Sequence, residues 1–310
     1  MAQALRIVPI AQTGIFALGT GSHAYLELDR LPGVAELDLV RAVADLREPR
    51  TTMGGVNFVS GFRPELWRSV AGGDIPGDVV GFNEPLVGAE GYSMPATQHD
   101  LWLWITGASY DVVFDMVARC IGTLAGVAVV ADETTSWPYH HDRDLTGFID
   151  GTANPSVTSA PDSVLVPEGS PGAGGTVLLF QKWVHDIAKW TALPIPDQEK
   201  VIGRTKDVGE ELPDEVRGSD SHVARTDQAM DGPERPIFRR NTPYGKVTDH
   251  GTMFVGFSRD QAWLARMLAR MAGAEDGIRD ALTNYTTVVS GAYYWIPPIE
   301  ALRQFTSLED

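Results

Sequence analysis

Cysteine is nearly absent from this sequence of 310 residues: Cys120 stands alone. A single thiol excludes an internal disulfide framework and any multi-cysteine zinc or iron–sulfur site built by one chain, and it points to a reducing compartment. Long hydrophobic runs are missing as well. No stretch approaches the roughly 20 apolar residues of a membrane span. The opening "MAQALRIVPIAQTGIF" has neither a basic region leading into an apolar run nor a twin-arginine pair, so a cytoplasmic protein is expected. Positive charge is scarce: 25 Lys and Arg against 41 Asp and Glu leave a net charge of −16. That balance argues against nonspecific binding to nucleic acid or to anionic membranes. The glycine-rich "GSPGAGGT" lacks the Gly-Lys-Ser/Thr ending of a phosphate-binding loop and reads as a turn.

What is present is a globular composition, 43% hydrophobic and 21% charged, in a chain long enough for two domains. Residues 101–106, "LWLWIT", suit a buried strand, and Val113, Phe114, Val117, Ile121 and Leu124 then recur at helical spacing before a second strand candidate, "VAVV". Residues 252–257, "TMFVGF", precede another helical face of Trp263, Leu264, Met267, Leu268 and Met271. The strand–turn–helix unit thus occurs twice, which predicts an α+β sandwich in each half. Further strands are expected in "GIFALGT", "AYLELD" and "TVLLFQKWVHD". A polar, turn-rich stretch near residues 131–146 marks the expected boundary, giving units 1–143 and 144–310. Residues 199–235, charged and poor in periodicity, read as a long functional loop with one short helix.

Within "DLTGFIDGTANPS", Asp150 lies between the apolar pair Phe148–Ile149 and a glycine. A carboxylate beside apolar residues tends to be desolvated, and such a group can exchange a proton near neutral pH. Gly147 and Gly151 permit a tight turn. The segment therefore reads either as a built site or as an ordinary Asp-Gly, Asn-Pro turn. Cys120 falls in a helical pattern and reads as core rather than as a nucleophile or haem thiolate. His140 and His141, beside Asp142 and Asp144, read as a surface cluster without further metal ligands. His222 sits in the irregular region within "GSDSHVARTD", and "PIFRRNTPYG" follows with Arg239, Arg240 and Asn241.

"GFIDGTANP", "SHVAR" and "RRNTPYG", in that order, resemble the dye-decolorising peroxidase family, and within it the B-type haem peroxidases. "TMFVGFSRD" and "DALTNYTTVVSGAYYWIPP" are similar to the end of the same domain, so the resemblance covers most of the chain. One departure is Ala153, where many members have Glu. The resemblance implies two ferredoxin-like domains, each an antiparallel sheet with helices, with haem b in the C-terminal one. It implies a peroxidase that reduces hydrogen peroxide and oxidises dyes, phenolic or other organic electron donors via a ferryl intermediate.

By the same resemblance His222 is the proximal iron ligand, and Asp280 is its carboxylate partner. Asp150, Arg239 and Asn241 fall on the distal face. There Asp150 would shuttle a proton, Arg239 would hold and polarise hydroperoxide beside the haem, and Asn241 would orient water or peroxide. Arg240 is open between a haem propionate and solvent. Tyr293, Tyr294 and Trp295 are oxidisable residues, read either as a charge relay or as core aromatics. The alternative function is a haem-binding or deferrochelatase-like protein with little turnover; it needs His222 but leaves the Asp and Arg pair unexplained. Relatives are often oligomers, so a homo-oligomer is expected. Encapsulin cargo carries a C-terminal tail, and an ending at "FTSLED" without one predicts no shell.

Overall fold

The computed structural model describes residues 9–46, 55–140, 142–227 and 236–307. In the first half β1 (Ser22–Arg30) pairs antiparallel with β5 (Leu101–Gly107) on one edge and with β6 (Ala128–Ser136) on the other. β2 (Val56–Phe62) adds to the free edge of β5, giving the order β2-β5-β1-β6. A small hairpin, β3 (Leu86–Val87) and β4 (Ser93–Met94), stands apart. Helix α1 (Glu36–Ala44) connects β1 to β2, α2 (Pro64–Ala71) follows β2, and α3 (Tyr110–Leu124) connects β5 to β6.

The second half repeats this order. β7 (Thr176–His185) lies between β12 (Ala292–Ile296) and β10 (Asp249–Ser258), with β9 (Thr242–Lys246) beyond β10. Helix α8 (Gln261–Met271) connects β10 to β12, as α3 connects β5 to β6. In both halves the spatial order is fourth, first, third, second strand, so the architecture is α+β with two ferredoxin-like units. Short β8 (Phe238–Arg239) extends the outer edge of β10 past β9, and β11 (Thr286–Val288) does the same for β7 past β12. Single register pairs, Ser136–Tyr244 and Phe62–Trp295, join the halves at two seams and close the sheet on itself.

Closure explains why β5 is buried at every position. Alternation sends Trp102 and Trp104 inward to meet Tyr25, Phe180 and Tyr294, while Leu101, Leu103 and Ile105 face outward against residues of α1 and α3. On α3 the buried stripe is Val113, Met116, Val117, Cys120 and Leu124. Phe114, expected on that face, is 55% exposed and contacts Tyr110. Burial pushes the Cys120 thiol up to about 12, in keeping with a core residue.

The expected strand at "GIFALGT" is instead a 3-10 turn, Thr13–Phe16. Gly14 packs so closely that an added Cβ would lie 2.6 Å from a Val59 methyl, and Ile15 enters the barrel core. Gln12 holds the turn across a seam. Its amide donates to Ser60 O and Pro297 O, both at 2.9 Å, and accepts from Ser60 N–H at 2.8 Å. Residues 131–136, expected to begin the boundary loop, are the second half of β6.

Candidate active site

The loop carrying Asp150 is fastened from behind by Arg143. Its guanidinium donates to Gly147 O (2.8 Å), Lys206 O (2.7 Å) and Asp207 O (2.9 Å). Asp144 accepts from Thr146 N–H at 2.9 Å, and Trp190 Nε1–H donates to Thr146 O at 3.0 Å. Gly147 (φ 87°) and Gly151 (φ 88°) adopt left-handed backbone that other residues resist, so the chain turns on both sides of Asp150. The carboxylate is thereby set into a cavity of about 390 Å³, within the roughly 300–1,000 Å³ of cofactor and ligand sites.

Arg239, on β8, reaches the same cavity, and its Nη2 lies 3.9 Å from Asp150 Oδ1. At that separation the two attract each other, and each keeps hydrogen-bonding capacity for a third molecule. Asn241 also lines the cavity. Its carbonyl oxygen accepts Val255 N–H at 3.0 Å, which leaves the Nδ2 donor for the cavity. Arg240 does not line that cavity and is only partly exposed. It turns into the barrel mouth, donates to Ile15 O (2.8 Å) and Ala17 O, and stacks 5.1 Å above the Trp104 ring.

His222 begins helix α7 (His222–Thr226), whose N-cap Ser221 accepts from Ala224 N–H at 3.3 Å. After α4 (Ala160–Val164) and α5 (Ile187–Thr191), helix α6 (Ile195–Ile202) runs into the start of the expected loop, so the described part of that loop has helix at both ends; residues 228–235 lie outside the described set. α7 is bolted to α8 and to the turn after it: Arg270 of α8 donates to Ala224 O at 2.7 Å, and Arg225 makes a bidentate pair at 2.8 Å with Asp276, beyond the end of α8. His222 Nδ1 lies 2.7 Å from Asp280 Oδ2. Asp280 is fully buried, its other oxygen accepts Leu282 N–H at 2.9 Å, and its own N–H donates to Met271 O at 2.9 Å. The carboxylate fixes the ring orientation and leaves Nε2 for a ligand in the cavity.

Several cavity residues carried no signal that stood out in the sequence. Gln181, Trp183 and His185 alternate along β7, Thr252 and Phe254 along β10, and Met267 and Met271 descend from α8. Burial lowers His185 to about 4, so its imidazole is neutral. Burial, with Asp150 nearby, raises Asp144 to about 6. Tyr293, Tyr294 and Trp295 are buried, Tyr294 inside the barrel and the other two on its outer face. His140 is exposed, and His141 lies outside the described residues.

The cavity fits a haem. It offers one carboxylate-bonded imidazole, apolar walls that include Phe148, Ile149, Ile202 and Phe254, and two buried polar atoms without hydrogen-bond partners, Gln181 Nε2 and His185 Nδ1. Among the described residues no cluster of three or more His, Cys, Asp or Glu could hold a bare metal ion. A single imidazole is what an iron already held by a porphyrin requires.

Residues 141–301 match the family described as Dyp-type peroxidase, C-terminal. The dye-decolorizing peroxidase of Mycobacterium tuberculosis is 35% identical over 96% of this chain and 88% of its own length. A variant of DypB from Rhodococcus jostii RHA1, solved in complex with haem, superposes with a TM-score of 0.82 at 30% identity, covering 93% of this chain and 97% of that one. The encapsulated DyP-type peroxidase of Mycobacterium smegmatis gives a TM-score of 0.83 at 28% identity, covering 97% and 100% of the respective chains.

Proposed function

The chain belongs to the dye-decolorising peroxidase family and is a haem-dependent peroxidase, and on that premise we propose how its own residues divide the work. Haem b, when bound, supplies the iron through which electrons pass to the peroxide. His222 Nε2 would hold that iron. Asp280, bonded to Nδ1, keeps the ring in one tautomer and makes it a stronger donor.

Arg239, Asp150 and Asn241, which line the same cavity, would act on the peroxide. The Arg239 guanidinium holds hydrogen peroxide and stabilises the negative charge that develops as its oxygen–oxygen bond breaks. Asp150 accepts a proton from one peroxide oxygen and delivers it to the other, directly or through water, so that water departs. Asn241 Nδ2 donates to the bound peroxide or to that water. The observation that supports this division is convergence. Four separate segments bring a His–carboxylate pair at 2.7 Å and an Arg–carboxylate pair at 3.9 Å to one cavity.

Stopped-flow mixing of the haem-loaded protein with peroxide, followed by a phenolic or dye donor, tests the reading. Asp150→Asn is expected to slow the peroxide step, since the proton acceptor is gone. A peroxide step at the parent rate would remove Asp150 from that role. We also infer a homo-oligomer, supported by the exposed Tyr110–Phe114 pair on α3, and sedimentation showing only monomer at micromolar concentration would refute it. No helix among the described residues is long and apolar enough to cross a membrane.

A further inference from the structure

β8 is only two residues long, and its ladder with β10 ends at the Arg239–Gly256 pair. Directly afterwards the strand is interrupted: Arg240 N–H donates to Val255 O at 2.8 Å, and the Asn241 side chain takes Val255 N–H at 3.0 Å. The backbone that carries Arg239 is therefore paired to the sheet on one side only. On its other side a single amide takes both of its polar groups. Asn154 Nδ2 donates to Arg239 O at 2.8 Å, and Arg239 N–H donates to Asn154 Oδ1 at 3.0 Å.

Asn154 belongs to the loop of Asp150. Its own N–H donates to Gly151 O at 2.9 Å, and Pro155 follows it, which restrains its backbone to extended angles. At Gly151 an added Cβ would lie 3.3 Å from Asn154 Nδ2, so the glycine also leaves room for the amide. Among side chains of this length only Asn presents a donor and an acceptor side by side, the pattern that one residue of a neighbouring strand would offer.

We propose that Asn154 is a positioning residue of the distal wall: its amide clamps the Arg239 backbone to the Asp150 loop and thereby sets the spacing between guanidinium and carboxylate. The proposal rests on Arg239 as the group that holds peroxide. Asn154 itself touches neither peroxide nor haem; it acts through Arg239. A change of about 1 Å in such a placement costs on the order of 100-fold in rate, and loss of the clamp is expected to cost a part of that, about tenfold.

The test is a double-mutant cycle on the haem-loaded protein at one pH, with Asn154→Ala, Arg239→Leu and the double variant. Two quantities are read: the dissociation constant of fluoride, a small anion that accepts hydrogen bonds from the distal side, and the second-order rate constant with peroxide. Asn154→Ala is expected to weaken fluoride binding and slow the peroxide step about tenfold in the parent, and by less than about twofold when Arg239 is already Leu. Equal losses in both backgrounds, or no loss in the parent, would overturn the clamp. Should Arg239→Leu alone leave fluoride affinity and peroxide rate unchanged, the reading of Arg239 fails, and the clamp with it. If Asn154→Ala does not fold, the isosteric Asn154→Asp is used in its place. It keeps the acceptor for Arg239 N–H and loses the donor, and the same dependence on Arg239 is expected of it.

Discussion

In the N-terminal half the connection from β1 to β2 spans residues 31–55, and the outer face of that sheet is packed under the apolar stripes of α1 and α3. In the C-terminal half the corresponding connection, from β7 to β9, spans residues 186–241. There the outer faces of β7 and β10 line the cavity through Gln181, Trp183, His185, Thr252 and Phe254. Strand order is the same in both. One scaffold thus closes its outer face in one half and opens it in the other, and the added length supplies His222 and Arg239. The difference places the chemistry in a long connection, including the short edge strand β8 within it, held against a rigid sheet.

The comparison breaks most visibly at His222. His222→Ala is expected to abolish most haem retention, measured as the haem-to-protein absorbance ratio after desalting, while far-ultraviolet circular dichroism stays at the parent value. Next in size is Arg239→Leu. Loss of one charge-assisted interaction in the transition state is worth roughly 3 kcal/mol, or on the order of 100-fold in the peroxide step. Asp280→Asn keeps the shape and removes the charge behind His222, and is expected to weaken haem affinity about tenfold. An unchanged affinity and an unchanged iron–histidine stretching frequency would show that the carboxylate only packs.

The N-terminal half has a buried acid too, and its expected signature differs. Glu27 is buried in the barrel, accepts the Tyr294 hydroxyl at 2.6 Å, and is raised by burial from the usual 4.5 to about 7. Between those values the folded protein holds a proton that the unfolded chain releases. The stabilising contribution is therefore complete below about pH 4.5 and declines as pH rises through about 7, by roughly 3 kcal/mol at most. Glu27→Gln is expected to remove that decline in urea titrations at pH 5 and pH 8, with turnover at the parent value. A change in turnover would mean that the two halves do not divide stability and chemistry in this way.

Asp150, His222, Arg239 and Asn241 stood out in the sequence because each lies in a short motif whose order is distinctive. Asp280 was harder to see, since a buried carboxylate and a helix-surface one look alike until His222 is brought to it from 58 residues away in the chain. Asn154 was hidden in plain view: Asn before Pro is a common turn former, and its partner Arg239 lies 85 residues on. The cavity-facing residues of β7 were masked by a strand buried along almost its whole length, where alternation gives no contrast. Barrel closure depends on two single-pair seams between distant strands, which no local pattern announces. "GIFALGT" has strand composition, but Gly14 and the Gln12 amide commit it to plugging the barrel instead.

The most direct measurement is a crystal structure of the haem-loaded protein with fluoride bound. The account predicts iron ligated by His222 Nε2 with Asp280 still on Nδ1, and fluoride on the opposite face within hydrogen-bond reach of Arg239. Iron ligated by any other side chain, or Asp150 and Arg239 on the same side of the haem as His222, would contradict it.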